Sequence, residues 1–206
     1  MVFEGFVMRI YSVAERITRV LYINLLWVFF TVIGLIVFGL FPATAAMFAV
    51  TRKWSQGETD IPIFKTFWQV YKKDFLQTNL LGYFMAIIGV VLYIDLRFFQ
   101  SSNTLVLKLF SFIMIVLFVV YLASILYIFP VFVHYKLKTL QYMKVSVILA
   151  IGRPLQTILM GLVGLFVFAL FKAVPILAIY FGGGLFSYCI MKIAIRSFLN
   201  DPLKVE

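Results

Sequence analysis

The sequence predicts an all-α, polytopic membrane bundle of about five spanning helices, with an N-terminal amphipathic helix and interfacial loop helices. Three observations predict it. Of the 206 residues 64% are hydrophobic, and the mean hydropathy is +1.08, whereas globular domains hold roughly 45–50% apolar residues. Five apolar runs are long enough to cross a bilayer. Charged residues make up only 13% and gather between those runs. A water-soluble chain of this size has no interior large enough for so much apolar surface, so lipid is the solvent.

The N-terminal piece comes first. Phe3, Phe6, Val7, Ile10, Val13, Ile17 and Val20 recur at helical spacing, with Arg9, Glu15, Arg16 and Arg19 mostly off that stripe. Residues 1–19 therefore read as an interfacial amphipathic helix. Val20–Phe41 follows as the first span. Ala43-Thr44-Ala45 has the small residues of a signal cleavage site, but the apolar run before it exceeds a signal core, so the segment is expected to be retained. Pro42 is read as the end of that span, with Arg52, Lys53 and Trp54 in a basic loop behind it.

Residues 62–75, PIFKTFWQVYKKDF, form a second amphipathic piece. Phe64, Phe67, Trp68, Tyr71 and Phe75 share one face, and Lys65, Gln69, Lys72 and Lys73 the other. Trp and Tyr beside Lys suit headgroup depth. The later spans are Phe75–Ile94, Leu109–Phe129, Leu155–Phe171 and Pro175–Ile195, the last two joined by a tight hairpin at Lys172 and Ala173.

Residues 41–82 and 129–161 look like two copies of one unit. Each opens on Phe-Pro (Pro42, Pro130), passes through a basic stretch, and re-enters an apolar run at Leu-Gln-Thr followed by Gly: Leu76-Gln77-Thr78 with Gly82, and Leu155-Gln156-Thr157 with Gly161. The whole chain is read as one membrane domain: an amphipathic helix at 1–19, a first helix–loop–helix unit at 20–94, a second at 105–171, and a fifth span at 175–196.

The net charge of +10 marks a membrane topology rather than nucleic-acid binding. Lys and Arg concentrate in the loops after the first and third spans and at the C-terminal end, with Lys192, Arg196 and Lys204, so these are expected in the cytoplasm of a plasma-membrane protein. Five crossings then place residues 1–19 outside. A half-crossing by residues 43–50 would bring them inside.

Chemistry is sparse. His134 is the single histidine and Cys189 the single cysteine, so neither a metal site nor an internal disulfide is expected. Glu58 and Asp60 are the only close acidic pair, and the GETD segment is better read as a turn. Asp95 with Arg97 reads as a solvated pair, and Asn24 and Asn79 as interhelical hydrogen-bonding groups. Gly182-Gly183-Gly184 marks either a hinge or a close packing site. No catalytic residue, metal or cofactor is expected.

The stretch GLFPATAAMFAVTRKWSQGETDIPIFKTFWQVYKKDF resembles the YesL-like family of small integral membrane proteins of Gram-positive bacteria, a domain of unknown function. The Phe-Pro-Ala-Thr, Arg-Lys-Trp, Gly-Glu and Phe-Lys-Thr-Phe-Trp elements carry the resemblance. It implies association with carbohydrate ABC importers. The expected role is thus a non-catalytic accessory or assembly subunit, with lipids and importer permeases as partners and a homo-oligomer left open. Its interface candidates are Arg52, Lys53, Trp54, Phe64, Trp68, Tyr71, Lys72 and Lys73. The alternative is a small stand-alone transporter or channel for a sugar-related solute, in which the triple glycine is the hinge.

Overall fold

The computed structural model describes residues 2–101 and 104–198, with the side chains of 2–10, 12, 178 and 179 outside that description. Among the described residues every regular element is helical: α1 (Val2–Ile33), α2 (Leu40–Ser55), α3 (Ile63–Lys73), α4 (Phe75–Ser101), α5 (Leu105–His134), α6 (Thr139–Gly152), α7 (Pro154–Ala173) and α8 (Pro175–Phe198). Four stretches, Val13–Ile33, Phe75–Ser101, Leu105–His134 and Pro154–Ala173, are long and apolar enough to cross a membrane. The fifth expected span lies within α8, a helix of 24 residues.

The first expected span is corrected. Residues 2–33 are one continuous helix rather than an amphipathic helix followed by a separate span. It stops at Ile33, eight positions before the expected end at Phe41, and the chain reverses through residues 34–39. Gly34 and Gly39 make the reversal possible: a Cβ on Gly34 would fall onto the Gly39 backbone. Between them Leu35 and Ile36 hold φ of 56° and 63°, the left-handed region that residues with a bulky side chain avoid. No Asn, Asp or Ser announces this turn, because it lies in apolar surroundings. Its carbonyls are met by protein groups instead. Asn79 Nδ2 donates to Phe38 O at 2.9 Å and Tyr83 Oη to Val37 O at 2.8 Å, both from α4.

Three antiparallel hairpins result. Trp27 Nε1 donates to Thr44 Oγ1 across α1–α2. Tyr121 Oη donates to Met85 O across α4–α5, and the Phe99 and Phe110 rings meet near their other end. Gly164 faces Phe186 and Gly182 faces Phe171 across α7–α8. The second helices of the hairpins, α2, α5 and α8, all touch one another at the centre. Each first helix packs on its own partner and on the inner helix of the preceding hairpin: α4 on α5 and α2, α7 on α8 and α5, and α1 on α2 and, closing the ring, α8.

The centre is filled. Ala45, Phe48, Tyr127, Val131, Ile190 and Met191 belong to one continuous buried cluster, packed as protein interiors are. A second cluster, with Ile23, Phe30, Ala46, Trp54, Phe67 and Tyr71, ties α1, α2 and α3 together. The α1–α2 hairpin also brings Arg19 beside the basic loop, where its guanidinium donates to Thr59 O. Residues 16–20 therefore lie at the same end as that loop, and the expectation that the two sit on opposite sides of the membrane is replaced. Lys204 lies outside the described residues.

Candidate partner and lipid interface

Helix α3 is short and strongly two-faced, so it needs a neighbour to stay folded. Helix α2 is the main one, and Phe30 of α1 adds an aromatic contact. Its ring centroid stands 5.0 Å from Tyr71, 5.3 Å from Phe67, 5.4 Å from Trp68 and 6.3 Å from Phe64. Tyr71 Oη donates to Phe30 O at 3.1 Å. The candidate residues therefore divide. Tyr71 and Trp54 are buried, so neither offers a surface on which a protein partner could dock. Phe64 and Trp68 keep 50% and 42% of their surface exposed, and Lys65 and Lys72 are exposed beside them, whereas exposed Lys73 turns to the cleft behind α3. The outer surface of α3 is thus a cation-rimmed aromatic patch on a fixed helix.

Behind α3 lies a cleft of about 560 Å³, lined from α2, α3, the start of α4 and residues 132–137. Both basic loops reach it. Among the described residues Arg52, Lys53, Lys73 and Lys136 line it with a single carboxylate, Asp74. The Arg52 guanidinium donates to Val133 O near the end of α5, and Gln77 Nε2 donates to Leu137 O at 3.3 Å. Burial lowers the Arg52 pKa from its usual value, against the pull of Glu58. Burial raises the Asp74 carboxyl, and Lys73 offsets part of that rise. The ends of α2, α3 and α5 converge here, so the cations also complement helix C-termini.

The two Phe-Pro pairs differ in use. Pro42 sits in the first turn of α2, so it begins a helix rather than ending one. Pro130 lies inside α5, shortly before its end at His134. The Leu-Gln-Thr segments agree better. Thr78 Oγ1 donates to Asp74 O at 2.8 Å and Thr157 Oγ1 to Arg153 O at 2.9 Å, each at the start of a descending helix.

The triple glycine is a contact between α8 and α1. Gly183 N and Gly184 N donate to Asn24 Oδ1 at 2.9 and 3.2 Å. A Cβ on Gly184 would stand 2.8 Å from Val20 O, and one on Gly183 would press on Met47 at 3.2 Å. Gly182 has more room, with Phe171 at 3.5 Å. The helix runs unbroken through all three. Sequence reasoning missed Asp74 and the Arg52–Val133 link. The signal for Gln77 was present in the repeated Leu-Gln-Thr.

Among the described residues no three His, Cys, Asp or Glu side chains come together as metal ligands. Lys53 Nζ stands 4.0 Å from Glu58, at the rim of ion pairing.

A family model described as a protein of unknown function, DUF624, matches residues 20–96. Three proteins of Bacillus subtilis (strain 168) are similar along nearly the whole chain. Uncharacterized protein YteU is 41% identical over 96% of this chain and 88% of its own length. Uncharacterized protein YesL is 36% identical over 92% and 90%. Uncharacterized protein YesV is 34% identical over 92% and 91%. No solved structure matches.

Proposed function

The chain belongs to the YesL-like DUF624 family, and from that premise we propose that it is a non-catalytic accessory or assembly subunit of a carbohydrate ABC importer. It would act through protein–protein contacts in the membrane. The importer itself enters through the association that the family resemblance implies. The observation that carries an accessory role is the outer face of α3. Phe64 and Trp68 stand half-exposed beside Lys65 and Lys72 on a helix pinned to Phe30. A rigid aromatic patch with a cationic rim is the surface that protein partners use, because little conformational entropy is lost on docking.

The filled centre, with Phe48, Tyr127, Val131 and Met191 packed between α2, α5 and α8, favours this reading over a central pore. The test is a gentle-detergent pull-down of tagged chain from its native host, with mass spectrometry of the co-purifying proteins and a parallel sugar-uptake assay. Importer permeases are expected in stoichiometric yield, and F64A/W68A is expected to lower that yield at least tenfold at unchanged chain level. Recovery of the chain alone after in-cell cross-linking, with uptake unaffected by its deletion, overturns the proposal. Solute flux in liposomes holding only this chain would instead support the transporter.

A further inference from the structure

A second cleft, of about 430 Å³, opens on the other flank of the α2 C-terminus. Its walls come from α1, the last turn of α2, the α2–α3 loop and α8. Arg16, Arg19 and Lys192 line it together with Trp54 and Tyr188, and among the described residues no carboxylate does. The cations of the first cleft are explained in part by helix ends. These are not: Arg16 and Arg19 lie mid-helix in α1, and Lys192 lies before the last turn of α8. Glu15 takes one of them, pairing with Arg19 at 2.6 Å. Arg19 is also held by Thr59 O. Arg16 and Lys192 remain as exposed cations at the mouth. The Trp54 and Tyr188 rings meet edge-on at 6.4 Å and form the apolar wall.

The depth of the site is set by α1. Arg16 and Arg19 fall in the first two turns of the apolar span Val13–Ile33, where side chains meet headgroups rather than hydrocarbon. Cations with Trp and Tyr at that depth suit a lipid phosphate. The cleft has room for a whole headgroup rather than a single ion.

We propose that this cleft binds the phosphate of an anionic phospholipid, held by Arg16, Arg19 and Lys192 against the Trp54 wall. The ligand chemistry is a phosphate without a compensating cation. The lipid is its source because the cleft opens at headgroup depth.

Trp54 can report on the site. In a W27F/W68F chain it is the sole tryptophan. That chain is reconstituted in phosphatidylcholine vesicles containing one quarter (about 25%) phosphatidylglycerol, with the bromine-labelled quencher placed on one lipid or the other. Brominated phosphatidylglycerol is expected to quench Trp54 at several-fold lower mole fraction than brominated phosphatidylcholine. R16Q/K192Q should weaken that preference by about fivefold for each cation removed. K138Q/K144Q, with the same loss of charge elsewhere on the exposed surface, should keep it.

Native mass spectrometry of the full chain carrying its own tryptophans, with and without R16Q/K192Q, reads retained phosphatidylglycerol directly and covers the case in which W27F/W68F fails to fold. Equal quenching by the two lipids, or a preference that R16Q/K192Q leaves unchanged, overturns the proposal. Displacement of the lipid by micromolar inorganic phosphate overturns the lipid as the source and assigns the cleft to a soluble phosphate.

Discussion

The unit α2–α3–α4 and the unit α5–α6–α7 pass through the same parts in the same order, yet they spend their shared residues differently. In the first unit, a Cβ on Gly82 would stand only 2.3 Å from the Phe41 ring, so the glycine is a contact. In the second, Gly161 has no heavy atom within 4 Å of where its Cβ would stand. α2 has 16 residues and is buried along much of its length, whereas α5 has 30 and is exposed along most of its first half. What the two units share is the joint where a short helix hands over to a descending one. There, in both, a threonine hydroxyl bonds the carbonyl four residues back. A repeat can therefore preserve a local backbone joint while its packing diverges.

Gly82→Ala against Gly161→Ala is the sharpest way to break this comparison. Thermal unfolding in detergent should show Gly82→Ala losing about 1–3 kcal/mol through overpacking on Phe41. Gly161→Ala should be neutral or gain about 0.5–1 kcal/mol from helix propensity. Equal losses would mean that the two glycines serve the same purpose.

The threonines come next. Thr157 Oγ1 also lies 3.2 Å from the hydroxyl of fully buried Tyr127. Thr157→Val should therefore cost about 1–2 kcal/mol, and Thr78→Val, which loses only a local bond, about half that. A reversed order of melting temperatures would show that the first joint is the stronger. Tyr71→Phe removes the tie between α3 and Phe30 O and should cost about 1 kcal/mol. Hydrogen exchange should then rise in α3 and stay unchanged in α6, which has its own tie through Tyr142 Oη to Tyr135 O.

The smallest effect is a pH dependence at Asp74. Burial raises its folded pKa above the unfolded value. Its contribution is therefore fully present below the ordinary carboxylate range and is lost as pH rises through the raised value. Asp74→Asn should raise the melting temperature slightly at neutral pH and leave it flatter across that acidic window. A variant that melts lower at neutral pH would show the carboxylate to be a net stabiliser there.

Much of the fold was legible in composition and periodicity. Apolar length located the later spans, and the Phe64–Tyr71 spacing located α3. The reversal at residues 34–39 was not legible, because Leu35, Ile36, Val37 and Phe38 form a turn in apolar surroundings and the polar groups that support it come from Asn79 and Tyr83 on another helix. The burial of Tyr71 and Trp54 was hidden for a related reason. A helical face tells which residues lie together, but whether they meet lipid, partner or Phe30 depends on packing. The lipid cleft combines α1 with α8, and no sequence spacing relates those two helices.

The bond from Gly183 and Gly184 to Asn24 has a consequence for biosynthesis. It joins positions 159 and 160 apart in the chain. A polypeptide made from its N-terminus leaves the first hairpin waiting, its flank toward α8 open, until the last hairpin has been synthesised. Ring closure is therefore a single late step, and a chain stalled before α8 would present that flank to whatever quality-control machinery surveys the bilayer.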